Sequence, residues 1–165
     1  MNRVLTVVAA ATISIAFGHT AFAQQENLVS GTWTIVSVDD VRPDGTKRPL
    51  FGSSPEGILI FDAGGRYSLQ LCESGRPKFA ANDRTKGTPE ENAAAVRGCN
   101  PHWGRYSVSQ VDKTIVFKID HALFQNWEGT EQKRSFTLTG DELSCTVPSP
   151  SESGANPLIV WRRAR

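Results

Sequence analysis

The stretch Gly31-Thr32-Trp33-Thr34-Ile35-Val36-Ser37-Val38 decides the fold of this chain. Its aromatic and β-branched residues predict a strand from about residue 28 to residue 40. The far end of the chain, Trp161-Arg162-Arg163-Ala164-Arg165, again joins a tryptophan to basic residues, and a strand predicted at 158–163 can pair with the first one. We therefore expect the two ends of the chain to meet. Strict alternation would place Trp33, Ile35 and Ser37 on one face of the first strand and Thr34, Val36 and Val38 on the other.

Six more segments between these ends carry strand patterns, and glycine-containing turns such as Gly140-Asp141 join several of them tightly. Thr88-Pro89-Glu90-Glu91 combines a cap residue, a proline in the first turn and a glutamate three residues after the cap. This pattern predicts a short helix that ends near Arg97. Eight strands, with one helix between the third and the fourth, predict an all-β, antiparallel up-and-down barrel. The six segments are 57–62, 66–72, 102–109, 114–121, 130–139 and 142–147.

The lengths of the connections predict which end of the barrel is open. Connections in an up-and-down barrel alternate between its two ends. The connections after the first, third, fifth and seventh strands are long, whereas the others are tight turns. All four long connections therefore belong at one end, the mouth, while Trp33 and Arg163 belong at the closed end.

The first 23 residues have the composition of a secretory signal peptide. Arg3 is the only charge before an apolar run at 4–17, and Ala21-Phe22-Ala23 fits a signal peptidase site. The run is shorter than the roughly 20 residues that a membrane helix needs. We expect cleavage after Ala23, no membrane span in the mature protein, and a periplasmic or secreted location.

Residues 24–165 suffice for one domain with a single core and are too few for two. They carry equal numbers of basic and acidic side chains, because the whole chain has 18 Lys and Arg against 17 Asp and Glu and Arg3 lies in the signal segment. A nucleic-acid partner is therefore not expected, since binding it depends on clustered positive charge. No phosphate-binding loop, Gly-x-Ser-x-Gly elbow or paired-carboxylate pattern occurs, so we predict no cofactor and name no catalytic residue.

Taken together, these residues resemble the bacterial lipocalin-like domain family of the calycin superfamily. The resemblance implies that Trp33 plugs the closed end, that Arg163 packs across its ring, and that the barrel holds a small, mainly apolar molecule. It implies no particular activity. Ala122 and Gln125 depart from the Ser and Pro usual in the family. The matching positions are Gly31-Thr32-Trp33, Arg42-Pro43-Asp44-Gly45, 61–67, 87–98, Asn126-Trp127, Gly129-Thr130-Glu131-Gln132, Arg134, Val160-Trp161 and Arg163.

A set of inward positions forms the predicted ligand site. Arg134, with Gln132 and His121, would hold a carboxylate or another acidic head group, because a guanidinium matches carboxylate geometry. The alternative left open is an internal ion pair from Arg134 to Glu128 or Glu131. The predicted ligand-binding residues are Tyr67, Leu69, His102, Tyr106, Phe117, His121, Trp127, Gln132, Arg134 and Phe136.

Three other functions are weighed against small-molecule binding. His121 with Tyr106 or His102 could serve an isomerase or cyclase. Cys99, His102 and His121 could bind zinc, although no fourth ligand is visible and we predict no metal. The barrel could also be a scaffold for a partner protein. We favour a monomeric binding protein, and the sequence does not identify its ligand.

The chain has three cysteines, which permit one disulfide in an oxidising compartment. Three free thiols are the alternative. We predict a bridge between Cys72 and Cys99, which stand at the two feet of one mouth loop. Cys145 is then a buried free thiol on the seventh strand.

Overall fold

The computed structural model describes residues 28–147 and 157–165. The predicted signal peptide and most of the loop before the last strand lie outside this part. The elements are β1 Gly31–Val41, β2 Lys47–Pro49, β3 Glu56–Phe61, β4 Arg66–Cys72, α1 Pro89–Arg97, β5 His102–Ser109, β6 Thr114–Ala122, a 3-10 helix Gln125–Trp127, β7 Glu131–Thr139, β8 Glu142–Thr146 and β9 Pro157–Arg163.

The strands form a closed antiparallel barrel. From β3 to β9 each strand pairs with the next one along the chain, and β1 pairs with both β3 and β9. The predicted eight-stranded barrel with one short helix is confirmed. The short strand β2 is an addition, paired with the end of β1 in a segment predicted to be loop. Its Lys47, Arg48 and Pro49 are all exposed, so no apolar alternation marks it in the sequence.

The helix and the disulfide follow the sequence prediction. Thr88 caps α1, its hydroxyl accepting from the Glu91 N–H at 3.2 Å while the Glu91 carboxylate accepts from the Thr88 N–H at 2.9 Å. Cys72 and Cys99 are bridged across a separation of 27 residues, which confirms the predicted pair. Cys145 is a buried free cysteine, and burial raises the pKa of its thiol to about 12.

The closed end is plugged as predicted. Trp33 is fully buried, and Cζ of Arg163 lies 4.1 Å from the centroid of its ring. The Trp33 indole N–H donates to the Val29 carbonyl at 2.8 Å. The Arg163 guanidinium donates to the carbonyls of Ser30 at 2.7 Å and Leu28 at 3.0 Å. Arg163 thereby ties the chain before β1 to the last strand.

Two irregularities change which side chains face the core. The β1–β9 register shifts between Ile35 and Ser37, and beyond that point Val38 is buried, whereas strict alternation predicted it on the opposite face from Trp33. The prediction for Val38 was therefore wrong. A bulge adds a residue to one strand only, so it reverses the alternation that follows.

The second irregularity lies where β5 meets β6. Gly104 is opposite Ile119, but Trp103 is opposite His121, so Asp120 is an extra residue in β6. A side chain at Gly104 would collide with the backbone carbonyl of Lys118, which shows how closely the bulge approaches β5. The extra residue turns His121 out of the barrel.

Candidate functional site

A buried hydrogen bond joins two strands on the inner wall of the barrel. The Tyr67 hydroxyl, on β4, lies 2.8 Å from Nδ1 of His102, on β5. Burial and the nearby Arg134 lower the pKa of His102 from 6.5 to about 3, so its imidazole is neutral at pH 7. Burial also raises the pKa of Tyr67, which keeps its hydroxyl protonated. The pair is therefore a neutral phenol beside a neutral imidazole.

Arg134 brings a positive charge into the same interior. Its side chain projects inward from β7 and is only 4% exposed, with Cζ 4.6 Å from the centroid of the Phe117 ring. One terminal nitrogen donates to the Gln132 side-chain oxygen at 2.9 Å. The Nε atom is buried and has no hydrogen-bond partner within residues 28–147 and 157–165. Burial lowers the pKa of Arg134, because desolvation disfavours its charge.

The internal ion pair considered for Arg134 is not formed. In the part of the chain that the structure describes, no carboxylate lies within 4.0 Å of its guanidinium, so neither Glu128 nor Glu131 pairs with it. Glu128 lies instead 3.3 Å from Nδ1 of His121. Arg134 therefore contacts the Gln132 side-chain amide and the Phe117 ring, and neither of these groups neutralises its charge.

His121 lies outside the barrel, which corrects its predicted inward position. Its side chain is 62% exposed, and its ring centroid is 4.9 Å from that of Trp103. The extra residue Asp120 is the cause. The proposed pairing of His121 with Tyr106 fails as well, because Tyr106 is buried and its hydroxyl donates to the Asp62 carbonyl at 2.8 Å. The weighed zinc ligands are not brought together either, since Cys99 is bonded to Cys72.

The remaining predicted residues lie on the inner wall or at its mouth. Leu69, Phe117 and Phe136 are buried, and Leu69 stands opposite His102 in the sheet. Gln132 is partly buried on the same strand as Arg134. These positions, unlike His121, follow strand alternation as predicted.

A largely apolar cleft, which Arg97 and Asn100 also line, opens at the mouth. It has a volume of about 240 Å³, and its apolar wall comes from three long connections. Trp127 forms part of this wall, and its ring centroid is also 5.8 Å from that of His102. Trp127 therefore lies between the cleft and the buried polar pair. The sequence analysis did not select the other apolar wall residues, although their position in the long connections was the signal: Phe51, Val96, Leu123 and Phe124.

Comparison with known proteins relates this chain to a family of barrels. A curated relative is the "4'-hydroxy-3'-methoxypropiophenone carrier protein ppsC" of Aspergillus oryzae (strain ATCC 42149 / RIB 40), which is 27% identical over 105 residues, covering 58% of this chain and 95% of the relative. Among solved structures, a point mutant of the fluorescent protein UnaG matches with a TM-score of 0.39 and 12% identity, covering 84% of this chain and 98% of that chain. That resemblance is too slight to bear on function.

No helix within the described residues is long and apolar enough to cross a membrane. Residues 30–164 match the family described as "Lipocalin-like domain". The match covers the whole barrel, from the residue before β1 to the residue after β9. The chain therefore belongs to the Lipocalin-like domain family.

Proposed function

We propose that this protein is an exported carrier that binds a small apolar or amphipathic molecule inside its barrel, with an acidic or otherwise electron-rich head group at Arg134. Export rests on the signal-like composition of residues 1–23. The Trp33–Arg163 plug supports a place within the calycin superfamily. Carriage of a small molecule is supported by the family and by a relative whose name describes it as a carrier.

One observation carries the proposal: Arg134 is 4% exposed and has no carboxylate partner among the residues described. Moving a charge out of water costs several kcal/mol unless an opposite charge and hydrogen bonds compensate for it. The Gln132 oxygen and the Phe117 face compensate for only part of this cost. A carboxylate brought by a ligand would supply the rest, and the planar guanidinium suits it.

The surroundings of Arg134 favour an aromatic or flat apolar body for the ligand. The Tyr67 and Phe117 rings are edge to face, 4.8 Å apart, and Trp127 extends the aromatic wall to the mouth cleft. Aromatic walls bind flat apolar molecules through large contact areas. The cargo in the relative's name is an aromatic ketone, which agrees with such a body.

The test has two parts. Native mass spectrometry of protein purified from its own host should find a co-purifying small molecule. Arg134→Leu should weaken binding of a fluorescent fatty acid, cis-parinaric acid, by about 1.5 to 3 kcal/mol, the range for a hydrogen bond to a charged group. Arg105→Leu is the matched control, because Arg105 is exposed on the outer face of β5.

The control separates an interior anchor from a general effect of positive charge on an anionic probe. Arg105→Leu should leave the affinity within about twofold, since exposed charges contribute little. Equal losses in the two variants would contradict an anchor inside the barrel. Wild-type protein that carries no co-purifying molecule and takes up no probe would contradict the carrier function itself.

A further inference from the structure

Two buried nitrogen atoms on the inner wall lack hydrogen-bond partners among the described residues: Nε2 of His102 and Nε of Arg134. Both side chains are more than nine-tenths buried, and both pack on Phe117. A buried polar group without a hydrogen-bond partner is destabilising, so native proteins keep few of them. Two such atoms beside the same aromatic ring are candidates for one shared polar partner.

The hydrogen bond with Tyr67 determines which nitrogen of the His102 ring carries the proton. The phenol and imidazole share one hydrogen bond of 2.8 Å, and burial keeps both groups neutral. If Nδ1 carried the proton and donated to the phenol oxygen, the buried hydroxyl hydrogen would have no acceptor within the described residues. The satisfied arrangement has the Tyr67 hydroxyl donating to Nδ1, which puts the imidazole proton on Nε2. The Arg134 Nε atom is always a donor.

We propose that His102 Nε2–H and Arg134 Nε–H together receive an oxygen of the ligand that only accepts hydrogen bonds, in a carboxylate or a ketone, and that Tyr67 is the positioning residue that keeps His102 a donor. This inference rests on the proposed function and adds the chemistry of the head group to it. Two donors cannot satisfy a head group that must itself donate. The site therefore selects against amines and, more weakly, against alcohols.

The location of the pair relative to the mouth fits this role. Trp127 belongs to the wall of the outer cleft and also packs on His102, with ring centroids 5.8 Å apart. A molecule that entered from this cleft would contact Trp127 before it reached His102. Its oxygen would then lie at the inner end and its apolar body along Trp127 and Phe117. This orientation places the ligand's polar group deepest, away from solvent.

A series of probes with one body and four heads tests the proposal. The probes are 2-naphthoate, 2-acetonaphthone, 2-naphthylmethanol and 2-naphthylmethylamine, each titrated into the full-length mature protein by calorimetry. We expect naphthoate to bind most tightly, the ketone next and the alcohol more weakly, with the cationic amine weakest because it meets the charge of Arg134. An amine or alcohol that binds as tightly as naphthoate and the ketone would overturn the proposal.

Variants of Tyr67 and His102 form the second part of the test. Tyr67→Phe removes the hydroxyl that fixes the tautomer of His102. It should therefore weaken naphthoate and ketone binding about three- to tenfold, and the ratio of their affinities to that of the alcohol should fall. His102→Phe removes the donor and should act in the same direction, whereas His102→Gln retains an N–H donor and should recover part of the loss. His121→Phe is the matched control, since His121 is exposed.

The outcomes distinguish this inference from the carrier function. Probes that bind wild type but show the same order and affinity in Tyr67→Phe and His102→Phe would overturn the assigned donors and leave the carrier proposal standing. Failure of all four probes, together with no co-purifying molecule, would overturn both. The affinities of the four head groups are compared within one variant. A partly unfolded preparation therefore leaves the ratios of these affinities unchanged.

Discussion

Arg163 occupies the space that Gly31 leaves open over the Trp33 ring. Gly31 has φ of +122°, and a Cβ atom there would lie 3.0 Å from an Arg163 guanidinium nitrogen. Two constraints therefore require glycine at position 31: the positive φ of its backbone and the close approach of the Arg163 guanidinium. The Trp33–Arg163 contact depends on the residue two positions before the tryptophan.

Gly31→Ala should destabilise the barrel more than the same change at a glycine that has only the backbone constraint. Gly45 is the matched control, because its φ is +83° and nothing lies within 4 Å of its would-be Cβ. We expect Gly31→Ala to lower the free energy of unfolding by about 2 to 4 kcal/mol, and Gly45→Ala by about 1 to 2 kcal/mol. Urea denaturation measures both, and equal losses would contradict the role of Arg163.

Most of the barrel could be predicted from sequence because its causes are local. Alternation along strands such as Arg66–Cys72 and Glu131–Thr139 gives the inner face, and the Thr88 cap gives the start of α1. The position of His121 could not be predicted, because the extra residue Asp120 is fixed by pairing across to Gly104. Whether Arg134 meets an internal carboxylate likewise depends on where distant loops lie.

The Cys72–Cys99 bridge should contribute substantially to stability. It closes a mouth loop with a sequence separation of 27 residues, and the chain-entropy model gives about 3.5 kcal/mol for a loop of this size. The double variant Cys72→Ser, Cys99→Ser should lose about 2 to 4 kcal/mol in urea denaturation. Cys145→Ser is the control for altering a thiol outside the bridge. Wild type whose unfolding midpoint is unchanged by a reducing agent that breaks the bridge would contradict this expectation.

His102 should make the protein less stable in acid. Its pKa is about 3 when folded and 6.5 in its ordinary state, so the unfolded chain binds the proton more tightly. The stability due to neutral His102 is fully present above pH 6.5 and is lost as pH falls towards 3, at up to about 1.4 kcal/mol per pH unit. His102→Phe should therefore show a shallower fall between pH 6.5 and about 4 than wild type. Urea denaturation along a pH series measures the slopes, and equal slopes in wild type and His102→Phe would contradict this role of His102.

Replacing Arg134 with an apolar residue should weaken ligand binding without lowering the stability of the ligand-free protein. Arg134→Met keeps much of the side-chain volume and removes a buried charge that has no carboxylate partner among the described residues. Apolar replacement of buried charges is often neutral or stabilising, so the ligand-free variant should be as stable as wild type or more stable by about 1 to 2 kcal/mol. Its affinity for 2-naphthoate should nevertheless fall at least about tenfold, because the head group loses its charged donor. Denaturation and titration of the same preparation provide both values. A loss of about 3 kcal/mol or more in the ligand-free state would mean that Arg134 neutralises an internal acid, since removing one member of a buried pair strands the other.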